Sequence, residues 1–184
     1  MSNISMTTSK RNAIVTVMLI SAFVSMLNQT ILNTALPAII KGLNITETTA
    51  QWLITGFMLV NGIMIPLTAF LMDKYSTRHL YIFSMAIFLI GSIIAAFSPT
   101  FTILMISRII QAIGAGILLP LMQFTVFTLF PAEQRGFAMG LAGVVVQSAP
   151  AIGPTLTGLF VDLFSWRMPF YLVSAIAAVA FILG

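Results

Sequence analysis

The chain has 184 residues, of which 59% are hydrophobic and only 7% are charged, and its net charge is +4. Because a soluble domain carries about 25% charged residues, this composition excludes a water-soluble protein and indicates a membrane protein. The sequence has no cysteine, which excludes disulfides and cysteine metal sites. Its basic residues are scattered rather than clustered, so we expect no nucleic-acid partner. No cofactor site is predicted.

Charges and helix breakers divide the chain into six apolar segments, each close to the length of about 20 residues that crosses a bilayer. The predicted spans are residues 13–40, 48–72, 80–97, 101–130, 136–161 and 168–184. The fold class predicted is therefore an all-α membrane protein with a six-transmembrane-helix bundle. The first segment is much longer than the apolar core of a signal peptide, which favours an uncleaved helix. The sixth is still apolar where the sequence stops, so we expect a truncated product or a fragment.

The basic residues of the short loops set the expected orientation. With the N-terminus inside, the outer loops hold Lys41 and Arg167, and the inner side holds Lys10, Arg11, Lys74, Arg78 and Arg135. This bias predicts a cytoplasmic N-terminus in a multi-pass protein of the cell membrane, most simply a bacterial plasma membrane. The lipid bilayer is then its first partner.

Polar residues recur at helical spacing along the first span, where Ser21, Ser25, Gln29 and Asn33 follow one another every four positions. Amides and hydroxyls have no reason to face lipid, so the pattern predicts a water-lined cavity. The predicted cavity wall consists of Asn28, Gln29, Asn33 and, on the fifth span, Gln147.

Arg108 lies within the fourth span and shares a helical face with Gln111. A guanidinium stays charged, so in mid-span it has to be held by carbonyls, water or a substrate. This cost favours a functional role for the pair.

The fifth span carries a continuous stripe of small, kinked and polar positions: Gly136, Gly140, Gly143, Gln147, Pro150, Pro154 and Gly158. One explanation is close packing of helices through small residues. The other is a bent helix in a moving bundle, since prolines are tolerated in membrane helices whose neighbours satisfy the freed carbonyls.

Four segments in chain order resemble the signature motifs of the major facilitator superfamily, and more narrowly its fourteen-span drug:proton antiporter branch. They are "LNQTILNTALP" (27–37), "LMDKYSTRHL" (71–80), "SRIIQAIGAG" (107–116) and "APAIGPTLTG" (149–158). The resemblance implies the N-terminal half of a major facilitator fold and proton-coupled multidrug efflux by alternating access between two halves. It implies protons and small amphiphilic substrates as partners, together with a missing C-terminal half. It also implies that the chain is not an enzyme.

The resemblance assigns roles to matching positions. Asp73, Lys74 and Arg78 would form the cytoplasmic gating loop. Arg108 would act in proton coupling, with Gln111 holding its head group. The antiporter motif would place Gly153, Pro154 and Gly158 where the two halves meet.

The clearest departure from the family pattern is Asn28, which stands where many relatives have an aspartate and which cannot take up a proton. The four acids all fall near span ends, with Asp162 expected to pair with Arg167. The titrating carboxylate is therefore expected in the missing half. Two alternatives stay open: an exporter of metabolites or compatible solutes, and a truncated membrane fragment that is inactive alone.

Overall fold

The computed structural model describes residues 7–184 and shows a bundle of six helices: α1 (Thr8–Leu43), α2 (Glu47–Lys74), α3 (Thr77–Ala96), α4 (Phe101–Leu129), α5 (Ala132–Leu163) and α6 (Met168–Leu183). Within this range there is no strand. The predicted all-α bundle is confirmed. Helices α1 to α5 are long and apolar enough to cross a membrane, whereas α6, with 16 residues, is shorter.

The hydroxyl side chains that precede three helices define where those helices begin. Thr46, Ser76 and Thr100 each accept a hydrogen bond from the backbone N–H three residues further on. Each bond satisfies one of the free amides of a first helical turn. At the other end of α1, Asn44 adopts a left-handed backbone conformation with φ 52°, which asparagine tolerates better than most residues. The helices are therefore joined by very short turns.

Proline does not interrupt the helices. Pro37, Pro66 and Pro120 lie inside α1, α2 and α4, and α5 continues through both Pro150 and Pro154. The apolar segment that contains "APAIGPTLTG" is thus one continuous helix, as expected where neighbouring helices compensate for the lost hydrogen bonds.

Helix α4 is central and packs against α1, α2 and α3. Two glycines of α4 permit this close approach. A Cβ atom on Gly114 would lie 2.5 Å from the Ser84 carbonyl oxygen of α3, and one on Gly116 would lie 3.0 Å from Asn61 Oδ1 of α2. Small residues at helix crossings therefore bring three backbones together around α4.

The loops after α1, α3 and α5 meet at one end of the bundle, where a Cβ atom on Gly42 of α1 would collide with the Trp166 ring. Arg167 Nη2 donates to the Ser98 carbonyl oxygen at 2.9 Å, and the Phe97 and Tyr171 rings meet edge to face at 5.3 Å. The Arg167 guanidinium also lies 4.4 Å from the Trp166 ring. Arg167 is thus engaged with Ser98 and Trp166, and the predicted pairing with Asp162 is not among its contacts within residues 7–184.

At the opposite end, a cavity of about 650 Å³ lies among α1, α3, α4 and α6, with Lys10 and Arg78 among its lining residues. Tyr81, on the wall of this cavity, links three helices. Its hydroxyl donates to the Ala180 carbonyl oxygen of α6 at 2.8 Å and lies 2.9 Å from Ser21 Oγ of α1.

Candidate functional site

Arg108 is the largest fully buried side chain of the described residues, with 1% of its surface exposed. Its Nη1 donates to Gln111 Oε1 at 2.8 Å. The two residues are three positions apart on α4, so the helix itself sets them side by side. A guanidinium removed from water is stable only when its donors are satisfied or its charge is compensated, which makes its partners informative.

The amide nitrogen of Gln111 extends the hydrogen-bond network to α3. Gln111 Nε2 donates to Ser92 Oγ at 3.0 Å, and Ser92 Oγ donates to the Phe88 carbonyl oxygen at 2.8 Å. Gly91 makes the approach possible, since a Cβ atom there would lie 2.8 Å from the Gln111 backbone nitrogen. The guanidinium is therefore connected through two side chains to the backbone of a neighbouring helix.

An aromatic ring of α2 covers the guanidinium. The Phe57 ring centroid lies 4.1 Å from Arg108 Cζ, and Phe57 is 1% exposed. A cation over an aromatic face at this distance is attracted by the ring quadrupole. Arg108 Nε is buried without a hydrogen-bond partner among residues 7–184. The charge is thus held by one amide oxygen and one ring face.

A cavity of about 130 Å³ lies next to Phe57, among α1, α2 and α4. Its polar wall consists of Ser25, Gln29 and Asn61, and Phe57 is also part of its lining. Ile65, at the same wall, is 46% exposed. The space is large enough for several water molecules.

The four residues predicted to form a cavity wall are not brought together. Gln29 lines the cavity described above. Asn28 is 0% exposed inside the bundle, and neither of its amide atoms has a hydrogen-bond partner among the described residues. Asn33 and Gln147 are exposed on α1 and α5. Asn28 and Gln29 are adjacent in sequence, but successive residues of an α-helix point in directions about 100° apart. Asn28 therefore points into the bundle, whereas Gln29 points toward the cavity.

The antiporter-motif residues divide between two faces of α5. Gly153 is buried against α1, where a Cβ atom would collide with Thr30 Oγ1 and lie 3.3 Å from Leu27 Cδ1. Pro154 is exposed, and a Cβ atom on Gly158 would meet nothing within 4 Å. The same open space surrounds the earlier glycines of the stripe, Gly136, Gly140 and Gly143. Of these glycines of α5, only Gly153 is therefore required for packing within this bundle.

The gating-loop residues lie at the end of α2 and the start of α3, and all three are exposed. Asp73 and Lys74 close α2, and the Lys74 ammonium lies 4.4 Å from the Phe70 ring. Arg78 follows Ser76, whose hydroxyl caps α3 and lies 2.6 Å from His79 Nδ1. The structure thus places this segment at the same end as Lys10, as its predicted position in a loop requires.

Three residues of the site did not emerge from the sequence: Phe57, Asn61 and Ser92. Asn61 is an amide in the middle of an apolar span, and the reasoning applied to Gln29 could have found it. Ser92 and Phe57 carry no such signal, because single serines and phenylalanines are common in membrane helices. Only the packing of α2 and α3 on α4 assigns them.

The apolar helices, the buried guanidinium and the adjoining polar cavity define a multi-pass membrane protein with a polar interior. The family model described as "Major Facilitator Superfamily" matches residues 18–184. The chain belongs to this superfamily, which also confirms the prediction that it is not an enzyme.

Three relatives show how far the likeness extends. The uncharacterized MFS-type transporter YcnB of Bacillus subtilis is 52% identical over 174 residues, covering 95% of this chain and 37% of the relative. The lincomycin resistance protein LmrB of the same organism is 42% identical over 167 residues, covering 91% and 35%. The riboflavin transporter RibZ of Clostridioides difficile is 35% identical over 165 residues, covering 90% and 36%. The chain spans about a third of the length of these relatives.

A solved structure shares the fold. The chain resembles a bacterial homologue of the human lysosomal transporter Spinster, solved in an inward-facing and unoccupied conformation, with a TM-score of 0.80. The match covers 97% of this chain and 44% of that one at 18% identity, and it concerns the fold alone.

Proposed function

We propose that this chain is the N-terminal half of a proton-coupled multidrug efflux antiporter, which works by alternating access and requires a second half. The observation that carries the proposal is the buried Arg108–Gln111–Ser92 network beside a polar cavity. A buried charge in a membrane helix is costly, and such residues mark ion or substrate pathways. Arg108 and Gln111 are the proposed proton-coupling residues.

The exposed faces of α2 and α5 support the need for a second half. The stripe of small and polar positions on α2 is exposed: Gln51, Thr55, Gly62, Pro66, Ala69 and Asp73. On α5, the open glycines and exposed Gln147 form a comparable face. Small residues allow helices to approach closely in a membrane. In the proposal these two faces meet the other half, and Gln147 and Asn33 contribute to a cavity completed between the halves.

Drug-resistance relatives support the substrate class. The alignment with LmrB, a lincomycin resistance protein, covers 91% of this chain at 42% identity. In the proposal the substrates are small amphiphilic compounds, and the protein lies in a bacterial plasma membrane with a cytoplasmic N-terminus. The second candidate is export of a metabolite, which the likeness to the riboflavin transporter RibZ favours. The motifs concern coupling and gating and leave the substrate pocket unspecified.

The test is drug accumulation in cells that express either this chain alone or the longer protein that the proposal requires, called here the full-length transporter. We expect the full-length transporter to lower accumulation of amphiphilic drugs and a protonophore to abolish the effect. The chain alone should give no resistance. Efflux that persists without a proton gradient would contradict proton coupling, and resistance from the chain alone would contradict the need for a second half.

A further inference from the structure

Phe57 occupies a boundary inside the bundle. One part of its environment is the guanidinium of Arg108, 4.1 Å from the ring centroid, and another is the polar cavity that Ser25, Gln29 and Asn61 line. Arg108, Gln111 and Ser92 do not contribute to the lining of that cavity. Phe57 is the residue shared by the cavity wall and the contacts of the Arg108 network.

We propose that Phe57 is a positioning residue that holds Arg108 by its ring face and separates the Arg108 network from water in the cavity. Water in the cavity has polar partners on its own side, in Ser25, Gln29 and Asn61. On the other side, the guanidinium has an unpartnered Nε and donates to Gln111 Oε1. A donor without a partner in a buried site gains most from water, so the ring is what prevents its hydration.

The packing around Phe57 restricts its movement. A Cβ atom on the preceding Gly56 would collide with the terminal methyl group of Met105, so the Met105 side chain of α4 packs against the α2 backbone at this point. A Cβ atom on Gly116 of α4 would lie 2.5 Å from Met64 Cβ, about two turns of α2 after Phe57. Because these contacts of α2 with α4 flank Phe57, we expect the ring to leave the guanidinium together with a movement of α2 relative to α4. Access of water to Arg108 is thereby tied to a movement between two helices.

The consequence for transport rests on the proposed function. If Arg108 couples drug movement to protons, then the network has to be reached from the cavity at only one stage of the cycle. A ring that yields with α2 supplies that restriction, whereas a flexible aliphatic side chain does not. Phe57 then acts through its contact with Arg108 and does not itself take up or release a proton.

The absence of cysteine in the sequence allows a direct test. Ser92→Cys places a thiol inside the Arg108 network, and Asn61→Cys places one in the cavity wall. Both are treated in membrane vesicles with the small neutral reagent methyl methanethiosulfonate. Asn61→Cys should react readily and Ser92→Cys slowly. Adding Phe57→Leu should speed the reaction of Ser92→Cys about tenfold, since a cation–π contact in a desolvated site shifts an equilibrium by at least roughly that factor.

Matched variants separate the ring face from simple packing. Phe57→Tyr keeps the ring and should keep the reaction slow. Phe170→Leu removes another fully buried ring, which packs against Trp166 in a core cluster separate from that of Phe57, and should leave the Ser92→Cys rate unchanged. If the Phe57→Leu variant does not insert into the membrane, the same measurement is made with the Phe57→Met variant. An unchanged Ser92→Cys rate in the folded leucine or methionine variant overturns the proposal.

The labelling result does not depend on transport, so the two proposals fail separately. In the full-length transporter, Phe57→Leu should lower the maximal rate of drug efflux more than it raises the KM for the drug, and Phe57→Tyr should restore the rate. If the unaltered transporter moves no drug, the proposed function fails while the labelling still decides the role of Phe57. If efflux is unaltered in Phe57→Leu although labelling is faster, the link between Phe57 and coupling is overturned.

Discussion

Gly153 of α5 lies directly against the Thr30 side chain of α1, with no room for a Cβ atom between the two helices. The Thr30 hydroxyl is itself fixed, because it donates to the Leu27 carbonyl oxygen at 2.9 Å. The contact therefore depends on the absence of a side chain at residue 153, and it sets the distance between α5 and α1.

We expect Gly153→Ala to destabilise the bundle by about 1–3 kcal/mol, the usual cost of overpacking a well-packed interior. The measurement is denaturant or thermal unfolding of the purified protein in detergent. The matched control is Gly140→Ala on the same helix, where a Cβ atom meets nothing within 4 Å. Equal stability of the two alanine variants would show that α5 and α1 adjust freely at Gly153.

A second prediction concerns Arg108→Lys in the full-length transporter. Lysine keeps the charge but loses the planar group that contacts Gln111 and Phe57 at once. We expect proton-driven drug efflux to be abolished while expression and membrane insertion stay close to those of the unaltered protein. Efflux is measured by drug accumulation in energised cells.

The control for that variant is Arg11→Lys. Arg11 also lies over an aromatic ring, that of Phe130, at 4.6 Å, but it lies near the start of α1 outside the network. The Arg11→Lys variant should show drug efflux equal to that of the unaltered transporter. Normal efflux by Arg108→Lys would reduce Arg108 to a structural role and remove the main support for the proposed coupling site.

The helices could be predicted from the sequence because composition and span length are local properties. The predicted segment 101–130 and helix α4 (Phe101–Leu129) agree closely, since Thr100 marks one boundary and the turn before Pro131 marks the other. The other helices extend a few residues beyond or short of the predicted spans, because polar end turns such as Thr8–Arg11 still form backbone hydrogen bonds.

The site could be predicted only in part, for a physical reason. Arg108 and Gln111 are close because both lie on α4, so helical periodicity alone places them together. Their contacts with Ser92 and Phe57 come from other helices, and the position of one helix against another depends on packing over its whole length. The same limit explains Asn28 and Gln29: the polar stripe indicated an inward face, but only the neighbours α2 and α4 decide which part of that face borders a cavity.

A third prediction is the topology. The loops after α1, α3 and α5 meet at one end of the bundle, as the contacts of Gly42 with Trp166, of Arg167 with Ser98 and of Phe97 with Tyr171 show. Single cysteines at the exposed positions Asn44, Pro99 and Ser165 should react with an impermeant thiol reagent from outside the cell. Cysteines at Ser76 and Glu133 should not. Labelling of Ser76→Cys from outside would reverse the predicted orientation.

A fourth prediction tests the tyrosine that links three helices. Tyr81→Phe removes the hydroxyl that donates to the Ala180 carbonyl oxygen and contacts Ser21 Oγ. We expect the free energy of unfolding in detergent to fall by about 1 kcal/mol, the usual net value of a buried hydrogen bond. Tyr75→Phe, at an exposed tyrosine in the turn between α2 and α3, is the control. Equal losses in both variants would show that the Tyr81 hydroxyl contributes nothing specific.

The last prediction concerns the proton. The proposed proton-coupled antiport needs a group that binds a proton from one side and releases it to the other. All four acids of the chain, Glu47, Asp73, Glu133 and Asp162, are exposed near helix ends, and the first-helix position of the family's aspartate is the buried amide Asn28. Asp73 belongs to the proposed gating loop. We therefore expect the titrating carboxylate in the second half, on a helix that faces the cavity, where desolvation raises the pKa of a carboxyl group.

Replacing Glu47 and Glu133 with glutamine and Asp162 with asparagine in the full-length transporter should leave the pH dependence of efflux largely intact. Transport is measured across a range of imposed pH gradients, with expression and insertion checked in parallel. If the inserted triple variant loses its pH dependence, one of these three exposed acids carries the proton and the site lies in this half.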